Sequence, residues 1–169
     1  MTTPTYALHD WIVHRSYGVG QVIKIEVKPI HGESTECYRV ETRNGVYWLP
    51  LNSLDTPRIR PVATPERLEQ AVQELQISDL TLDPDRFYWK ERIQKVKENG
   101  DLVAISRLVR DLSLLRTQRR LNQTEETALS ALTERLLREW SACAHKDIER
   151  LRTRFHQTLQ ETKTRFSAS

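Results

Sequence analysis

Residues 86–92 read RFYWKER, three consecutive aromatic residues with basic residues on both sides. Neighbouring side chains on an α-helix point about 100° apart, so one buried face takes only part of the triplet. Basic side chains bind phosphate groups without reading base sequence, and an apolar side chain inserted between base pairs unstacks them. The segment therefore fits contact with nucleic acid, with one aromatic residue anchoring the helix and another facing outward.

Positive charge is concentrated in the same part of the chain. Residues 86–120 contain ten Lys or Arg against four Asp or Glu, whereas residues 61–85 contain one against six. The whole chain carries only +3. A local positive field favours a polyanionic partner, although a solvated helix surface would show the same basic residues. The candidate phosphate contacts are Lys90, Arg92, Lys95, Arg107, Arg110, Arg119 and Arg120.

Motifs of catalysis do not occur in the sequence. It has no G-x-S-x-G, no P-loop and no H-E-x-x-H, and its five histidines have no metal-binding spacing. The glycine-rich YGVG (17–20) leads into a strand pattern rather than a helix, so it offers no helix N-terminus to a phosphate. We expect a protein that is not an enzyme and that holds no cofactor or metal.

The sequence also predicts where the protein works. It has no apolar signal segment and no run of eighteen apolar residues, so we expect neither export nor membrane insertion. Cys37 and Cys143 are far apart and form no C-x-x-C motif, which favours two reduced thiols. These features predict a cytoplasmic protein.

The first fifty residues have the β-branched, partly alternating pattern of short antiparallel strands. Candidate strands are 11–14, 20–28, 36–43 and 46–50, and Asn44-Gly45 predicts a type I′ hairpin turn. Side chains alternate along a strand, so one of Tyr47 and Trp48 faces outward. The alternative that Trp48 belongs to the core of the barrel remains open. Strands this short predict a small, bent antiparallel β-barrel of the SH3 or Tudor type.

The remainder of the chain has helical periodicity and helix-capping signals. Helix starts are predicted at Thr64-Pro65 and Asp83-Pro84, and Asn122 with Glu125 resembles a capping box. Residues 123–166 contain no Gly or Pro, so they form one long helix or two with a break near 141–147. The predicted fold class is α+β, with a β-barrel domain at 1–60 and an all-α domain at 61–169.

Several motifs occur in a characteristic order along the chain. The N-terminal pattern consists of Asp10, Val13, His14, Tyr17-Gly18-Val19-Gly20, Ile25-Glu26, Gly32-Glu33, Tyr38 and Pro50. It is followed by GDLVAISRLVRDL (100–112) and the capped LNQTE (121–125). Together these motifs resemble the CarD/CdnL family of bacterial transcription regulators, whose N-terminal module is shared with the transcription-repair coupling factor. The resemblance covers about residues 10–140.

The resemblance implies a function. Family members bind the lobe of the RNA polymerase β subunit through a Tudor-like domain. Their helical domain contacts promoter DNA in the minor groove, largely independently of sequence, at the upstream edge of the melted bubble, where a Trp acts as a wedge. The implied effect is a stabilised open complex, and the sequence leaves the oligomeric state open.

The resemblance also implies site residues. The polymerase contact uses an edge strand, and here it corresponds to Lys28, Val46 and Trp48, with Trp48 standing where the family often has Arg. The wedge corresponds to Trp89. Trp89 also shares a helical face with Ile93 and Val96, so the alternative is a buried Trp89 with Tyr88 or Phe87 exposed.

A second hypothesis belongs to a different functional class. The N-terminal module would dock on polymerase or another protein, and the long C-terminal helices would bind a partner without direct DNA contact. The arrangement of the basic side chains of residues 86–120 separates this adaptor from the DNA-binding regulator.

Overall fold

The structure is a computed structural model that describes residues 5–54 and 56–168. The described residues up to Val62 form one compact unit, and those from Ala63 onward form another. The first unit is a β-sheet and the second contains only helices, so the protein is of the α+β class. No helix in the described part of the chain combines the length and the hydropathy needed to cross a bilayer.

The first unit is built on one antiparallel sheet. Its strands pair in the order β4-β3-β2-β1-β5, and β4 and β5 each pair with one neighbour among the described residues. The sheet is therefore open, and the closed barrel expected from the sequence is not present. The strands are β1 (Trp11–His14), β2 (Gly18–Ile30), β3 (Glu33–Thr42), β4 (Gly45–Pro50) and β5 (Ile59–Pro61).

The core of the sheet follows from strand alternation. Val22, Val40 and Leu49 are buried on one face, and the buried Tyr38 donates its hydroxyl hydrogen to the Tyr6 carbonyl oxygen at 2.6 Å. Gly20 permits close approach of β2 and β3, because a Cβ at this position would lie 2.7 Å from Val40 Cγ1. A side chain there would push β2 away from β3.

The hairpin between β3 and β4 forms, but its turn differs from the prediction. Thr42 pairs with Gly45, so Arg43 and Asn44 make the turn, and Asn44 lacks the positive φ that a type I′ turn requires. The Thr42 hydroxyl closes the turn instead. It donates to the Gly45 carbonyl oxygen at 3.0 Å and accepts from the Asn44 N–H at 3.3 Å.

The second unit packs its helices around α3, most of whose residues are buried. The segment whose helix count the sequence left open forms two helices, because His145 adopts a left-handed conformation with φ 53°. This break lies within the predicted range of 141–147. The helices are α1 (Pro65–Glu74), α2 (Arg86–Asn99), α3 (Leu102–Gln118), α4 (Gln123–Ala144) and α5 (Ile148–Ala168).

Capping residues fix where most of these helices begin. The Thr64 side chain accepts from the Arg67 N–H, and the Asp85 side chain accepts from the Phe87 N–H, so α2 begins two residues after the predicted start. Asn122 and Glu125 form the predicted capping box. Each cap supplies a partner for backbone N–H groups that have none within the helix.

Candidate functional site

Strand β4 presents two apolar side chains on the outer face of the sheet. Side chains alternate along a strand, so Val46 and Trp48 share one face while Leu49 is buried on the other. The Trp48 side chain is 39% exposed. Trp48 is therefore not part of the core, and it lies on an edge strand whose other side is unpaired among the described residues.

Trp48 reaches across β3 to the side chains of β2. Lys28 Nζ lies 4.4 Å from the centre of the Trp48 ring, a cation–π contact. Trp48 Nε1–H donates to Glu26 Oε2 at 2.8 Å. The structure thus brings the three residues predicted for the polymerase contact onto one face. We call Lys28, Val46 and Trp48 the sheet patch.

Glu26 is the anion that organises the cations next to the sheet patch. Its carboxylate lies 2.7 Å from Lys24 Nζ, 3.6 Å from Arg39 and 3.9 Å from Lys28 Nζ. The hydrogen bonds from Lys24 and Trp48 lower the pKa of Glu26 to about 2. Since the folded-state pKa is lowered, the stabilisation from ionised Glu26 is present at neutral pH and is lost as the pH falls through about 2. The face keeps this arrangement across ordinary pH.

Sequence reasoning recognised Glu26 only as part of a family motif. Lys24, Glu26 and Lys28 alternate along β2, which places all three on one face of the sheet. The alternation of these three residues in the sequence could have predicted the group of charges around Glu26.

Trp89 is an anchor of the helical core, so the expectation that it faces outward is wrong. It is 1% exposed, and it is buried with Ile93 and Val96, which follow it at helical spacing. Its Nε1–H donates to the Asp83 carbonyl oxygen at 2.7 Å. This satisfied hydrogen bond removes the cost of burying the indole N–H. Trp89 is not available as a wedge.

The exposed aromatic residues are the two that precede Trp89. Phe87 is 62% exposed and Tyr88 is 40% exposed. Tyr88 rests edge-on against the Trp89 ring, with 5.3 Å between ring centres. Arg86 and Lys90 are also exposed and lie on either side of the aromatic pair in the chain. We call Arg86, Phe87, Tyr88 and Lys90 the helix patch. Arg86 is the basic residue that precedes the aromatic triplet, but it was not among the predicted phosphate contacts.

Three of the predicted phosphate contacts belong to an ion-pair network among α1, α2 and α3. Arg92 lies 2.7 Å from one Asp111 oxygen, and Arg110 lies 2.8 Å from the other. Arg110 and Arg107 both bind Glu74, at 3.0 and 3.1 Å. Hydrogen bonding to Arg107 lowers the pKa of Glu74. The arginines here join helices.

Arg110 is only 7% exposed, so the expectation that it contacts DNA is wrong. Its partner Glu74 lies on α1, 36 residues earlier in the chain. Arg92 and Arg107 stay partly accessible, but their guanidinium groups are engaged by carboxylates. Their charge is therefore largely neutralised at short range.

Arg119 has a similar internal role. Its guanidinium donates to both oxygens of the buried Glu125 carboxylate, at 2.8 and 2.9 Å. This hydrogen bonding lowers the pKa of Glu125, the acidic member of the α4 capping box. Arg119 thus supports the start of α4 instead of extending into solvent.

Three of the predicted basic residues remain on the surface. Lys90, Lys95 and Arg120 are exposed, and within the described part of the chain they form no ion pair. Lys95 follows Tyr88 by two helical turns, so both lie on the same side of α2. Lys95 therefore adds a cation on the Tyr88 side of α2, whereas Lys90 lies about 160° around the helix from Tyr88 and closer to Phe87.

The fold and the two patches define a protein that exposes aromatic and basic side chains on both a β-sheet unit and a helical unit. Residues 6–63 match the family model described as the CarD-like/TRCF RID domain, and residues 83–156 match that of the CarD C-terminal domain. The chain belongs to the CarD-type family of transcription regulators. It is a transcription-associated protein that interacts with RNA polymerase, and the family is not enzymatic. No curated protein shows significant similarity to the chain.

Proposed function

We propose that this protein binds the RNA polymerase β subunit through the sheet patch and promoter DNA through the helix patch. The DNA contact would lie at the upstream edge of the melted bubble and would stabilise the open complex. The protein would act at bacterial promoters, in the cytoplasm.

The polymerase contact is supported by the position of the sheet patch. β4 is an edge strand, and an edge strand offers backbone N–H and C=O groups to a strand from a partner. Trp48 and Val46 add apolar area next to that edge, and tryptophan is frequent among the residues that dominate interface energies. Lys24 and Lys28 make the face suitable for an acidic surface.

The DNA contact is carried by a single observation, the exposure of Phe87 and Tyr88 above a buried Trp89. Apolar side chains that enter the minor groove cost a few kcal/mol of base unstacking, which bent or opened DNA offsets. At a bubble edge the adjacent base pair is already open, so an inserted ring opposes re-annealing. Lowering the free energy of the open state by about 1.4 kcal/mol raises its population relative to the closed state tenfold.

The adaptor remains a second candidate because of the arginine pairing. Arg92, Arg107, Arg110 and Arg119 bind carboxylates within the protein, which leaves fewer cations for phosphate than the sequence predicted. A protein-binding surface on the long helices needs no such cations. The two candidates differ in whether the helix patch acts on DNA.

The experiment is a measurement of open-complex lifetime with purified bacterial RNA polymerase at fixed salt, after competitor challenge. We expect wild-type protein to lengthen the lifetime and Phe87→Ala or Tyr88→Ala to lose most of this effect. Gln157→Ala, an exposed change on α5, serves as the matched control and should behave like wild type.

Two results contradict the proposal in different ways. An unchanged lifetime with wild-type protein rejects open-complex stabilisation. A lengthened lifetime that survives both aromatic substitutions rejects the helix patch as the DNA contact and favours the adaptor. If only one substitution abolishes the effect, that residue is the wedge.

A further inference from the structure

A second surface of the helical unit lies in a groove bordered by α3, α4 and α5. The groove has a volume of about 460 Å³, and the nearly buried side chains of Phe155 and Leu159 form part of its wall. Both residues belong to the hydrophobic core, so this part of the groove is held in place by packing. Arg116 from α3 and Lys163 from α5 also line the groove.

The two cations are poorly neutralised by the protein. The nearest carboxylate to Arg116 is that of Glu126, at 3.8 Å, close to the limit for an ion pair. Lys163 is partly buried, and within the described residues it has neither a hydrogen bond nor an ion pair. Desolvation lowers the pKa of Lys163, and the charge of Arg116 lowers it further.

The Lys163 nitrogen is not among the fully buried side-chain atoms that lack a partner in the described residues, so its desolvation is partial. An anionic ligand would relieve what remains, together with the repulsion from Arg116. Removing an ammonium group from water costs free energy unless a hydrogen-bonding or charged partner replaces the water, and a neighbouring cation adds repulsion. The exposed Lys90 and Lys95 carry no such cost. An anion between Arg116 and Lys163 would remove both penalties.

We propose that this groove binds a small phosphorylated molecule, with Arg116 and Lys163 holding its phosphate. A guanidinium group presents several donors to phosphate oxygens, and an ammonium adds a compact charge. The volume lies within the range of about 300–1,000 Å³ that is usual for small-molecule sites. The groove is a different surface from the helix patch, which lies on α2.

The surroundings favour a small ligand over duplex DNA. Glu126 and Glu134 line the same groove, and Glu134 is held there in an ion pair with Arg152. The Glu126 carboxylate would repel the successive phosphates of a long polyanion, whereas a single phosphate can lie beside Arg116 and Lys163. Lys163 also lies beyond residues 83–156, the part of the helical unit that matches the CarD C-terminal domain. The complete site is therefore not a feature of the matched segment.

The test is an NMR titration of the full chain with inorganic pyrophosphate at constant ionic strength. We expect saturable shifts confined to residues of the groove. Lys163→Gln should weaken binding about tenfold or more, as expected for loss of a charged hydrogen bond. Lys163→Arg should retain binding, and Lys146→Gln, at an exposed lysine before α5, is the matched control and should not change it.

Lys163→Gln removes a like-charge contact, so we expect it to fold. If its spectrum shows otherwise, Arg116→Gln replaces it with the same expected loss of binding. Shifts that do not saturate, or binding that these substitutions leave unchanged, overturn the proposal.

A parallel titration with a short DNA duplex distinguishes the source of the phosphate. If the duplex displaces pyrophosphate and shifts the same residues, the groove is a DNA contact and the small-molecule proposal is wrong. No polymerase or promoter enters the test, so its outcome is independent of the proposed function.

Discussion

Trp48 and Trp89 make the same two kinds of polar contact but differ strongly in exposure. Each ring has a cation over its face, Lys28 at 4.4 Å and Arg92 at 5.5 Å from the ring centre. Each indole N–H donates to an oxygen. Yet Trp48 is 39% exposed and Trp89 is 1% exposed.

The difference arises from the elements that carry the two residues. Trp48 lies on an edge strand, where the side-chain period of two sends it to the outer face. Trp89 lies on a helix whose apolar residues recur at positions 89, 93 and 96, and this face packs into the helical core. Residue type and cationic neighbours therefore do not identify an interaction site by themselves. The side-chain periodicity of the strand or helix, together with its packing, determines whether the residue is exposed.

Substitution of the two tryptophans by alanine should give the largest contrast. We expect Trp89→Ala to lower the free energy of unfolding of the helical unit by about 3–5 kcal/mol, because it leaves a large cavity. Trp48→Ala should cost about 1 kcal/mol or less, since the ring lies on the surface. Urea titration monitored by NMR amide signals reads each unit separately. Equal losses of unfolding free energy for the two substitutions would contradict the difference in burial between Trp48 and Trp89.

The contrast also shows how much of the fold and site the sequence could predict. The four N-terminal strands and the helix starts follow from local patterns, and so does the Asn122 capping box. Strand β5 has three residues and no pattern of its own, so it was missed. The spacing of Trp89, Ile93 and Val96 indicated burial of Trp89, but the family resemblance pointed outward. Local periodicity was the better guide there.

Ion pairs could not be predicted in the same way. Arg110 binds Glu74, and no local rule links residues 36 positions apart. The basic residues of α3 therefore looked like candidates for phosphate binding until the packing of α1 against α3 brought Glu74 next to them. Charge counts along a chain identify a basic segment, but they do not show which of its charges form ion pairs within the folded protein.

A second prediction compares two carboxylates that bind cations, Asp111 in the helical unit and Glu26 on the sheet. Asp111→Asn leaves the buried Arg110 with only Glu74, so we expect the helical unit to lose about 3 kcal/mol of stability. Glu26→Gln on the outer face of the sheet should have a smaller effect, because solvent screens exposed charges. The same urea titration measures both. If Glu26→Gln lowered stability more than Asp111→Asn, the ion pairs around Glu26 would contribute more to stability than the network of Arg92, Arg110 and Asp111.

The smallest expected effect concerns binding at the sheet patch. Lys28→Glu reverses the charge over the Trp48 ring and adds a carboxylate next to Glu26, which lies 3.9 Å from Lys28 Nζ. We expect affinity for an isolated polymerase β lobe to fall about tenfold, which corresponds to about 1.4 kcal/mol. The loss should decrease at high salt, because exposed charges are screened. Calorimetry or surface plasmon resonance at two salt concentrations measures it.

Lys24→Glu is the matched control, since Lys24 also pairs with Glu26 but, unlike Lys28, makes no cation–π contact with the Trp48 ring. If the contact depends on the Lys28–Trp48 pair, Lys28→Glu should weaken binding more than Lys24→Glu. Equal weakening would show that the polymerase senses only the overall charge of this face. Unchanged affinity in both would reject the sheet patch as the contact. The exposed tryptophan would then need a different partner, and the contrast with Trp89 would concern packing alone.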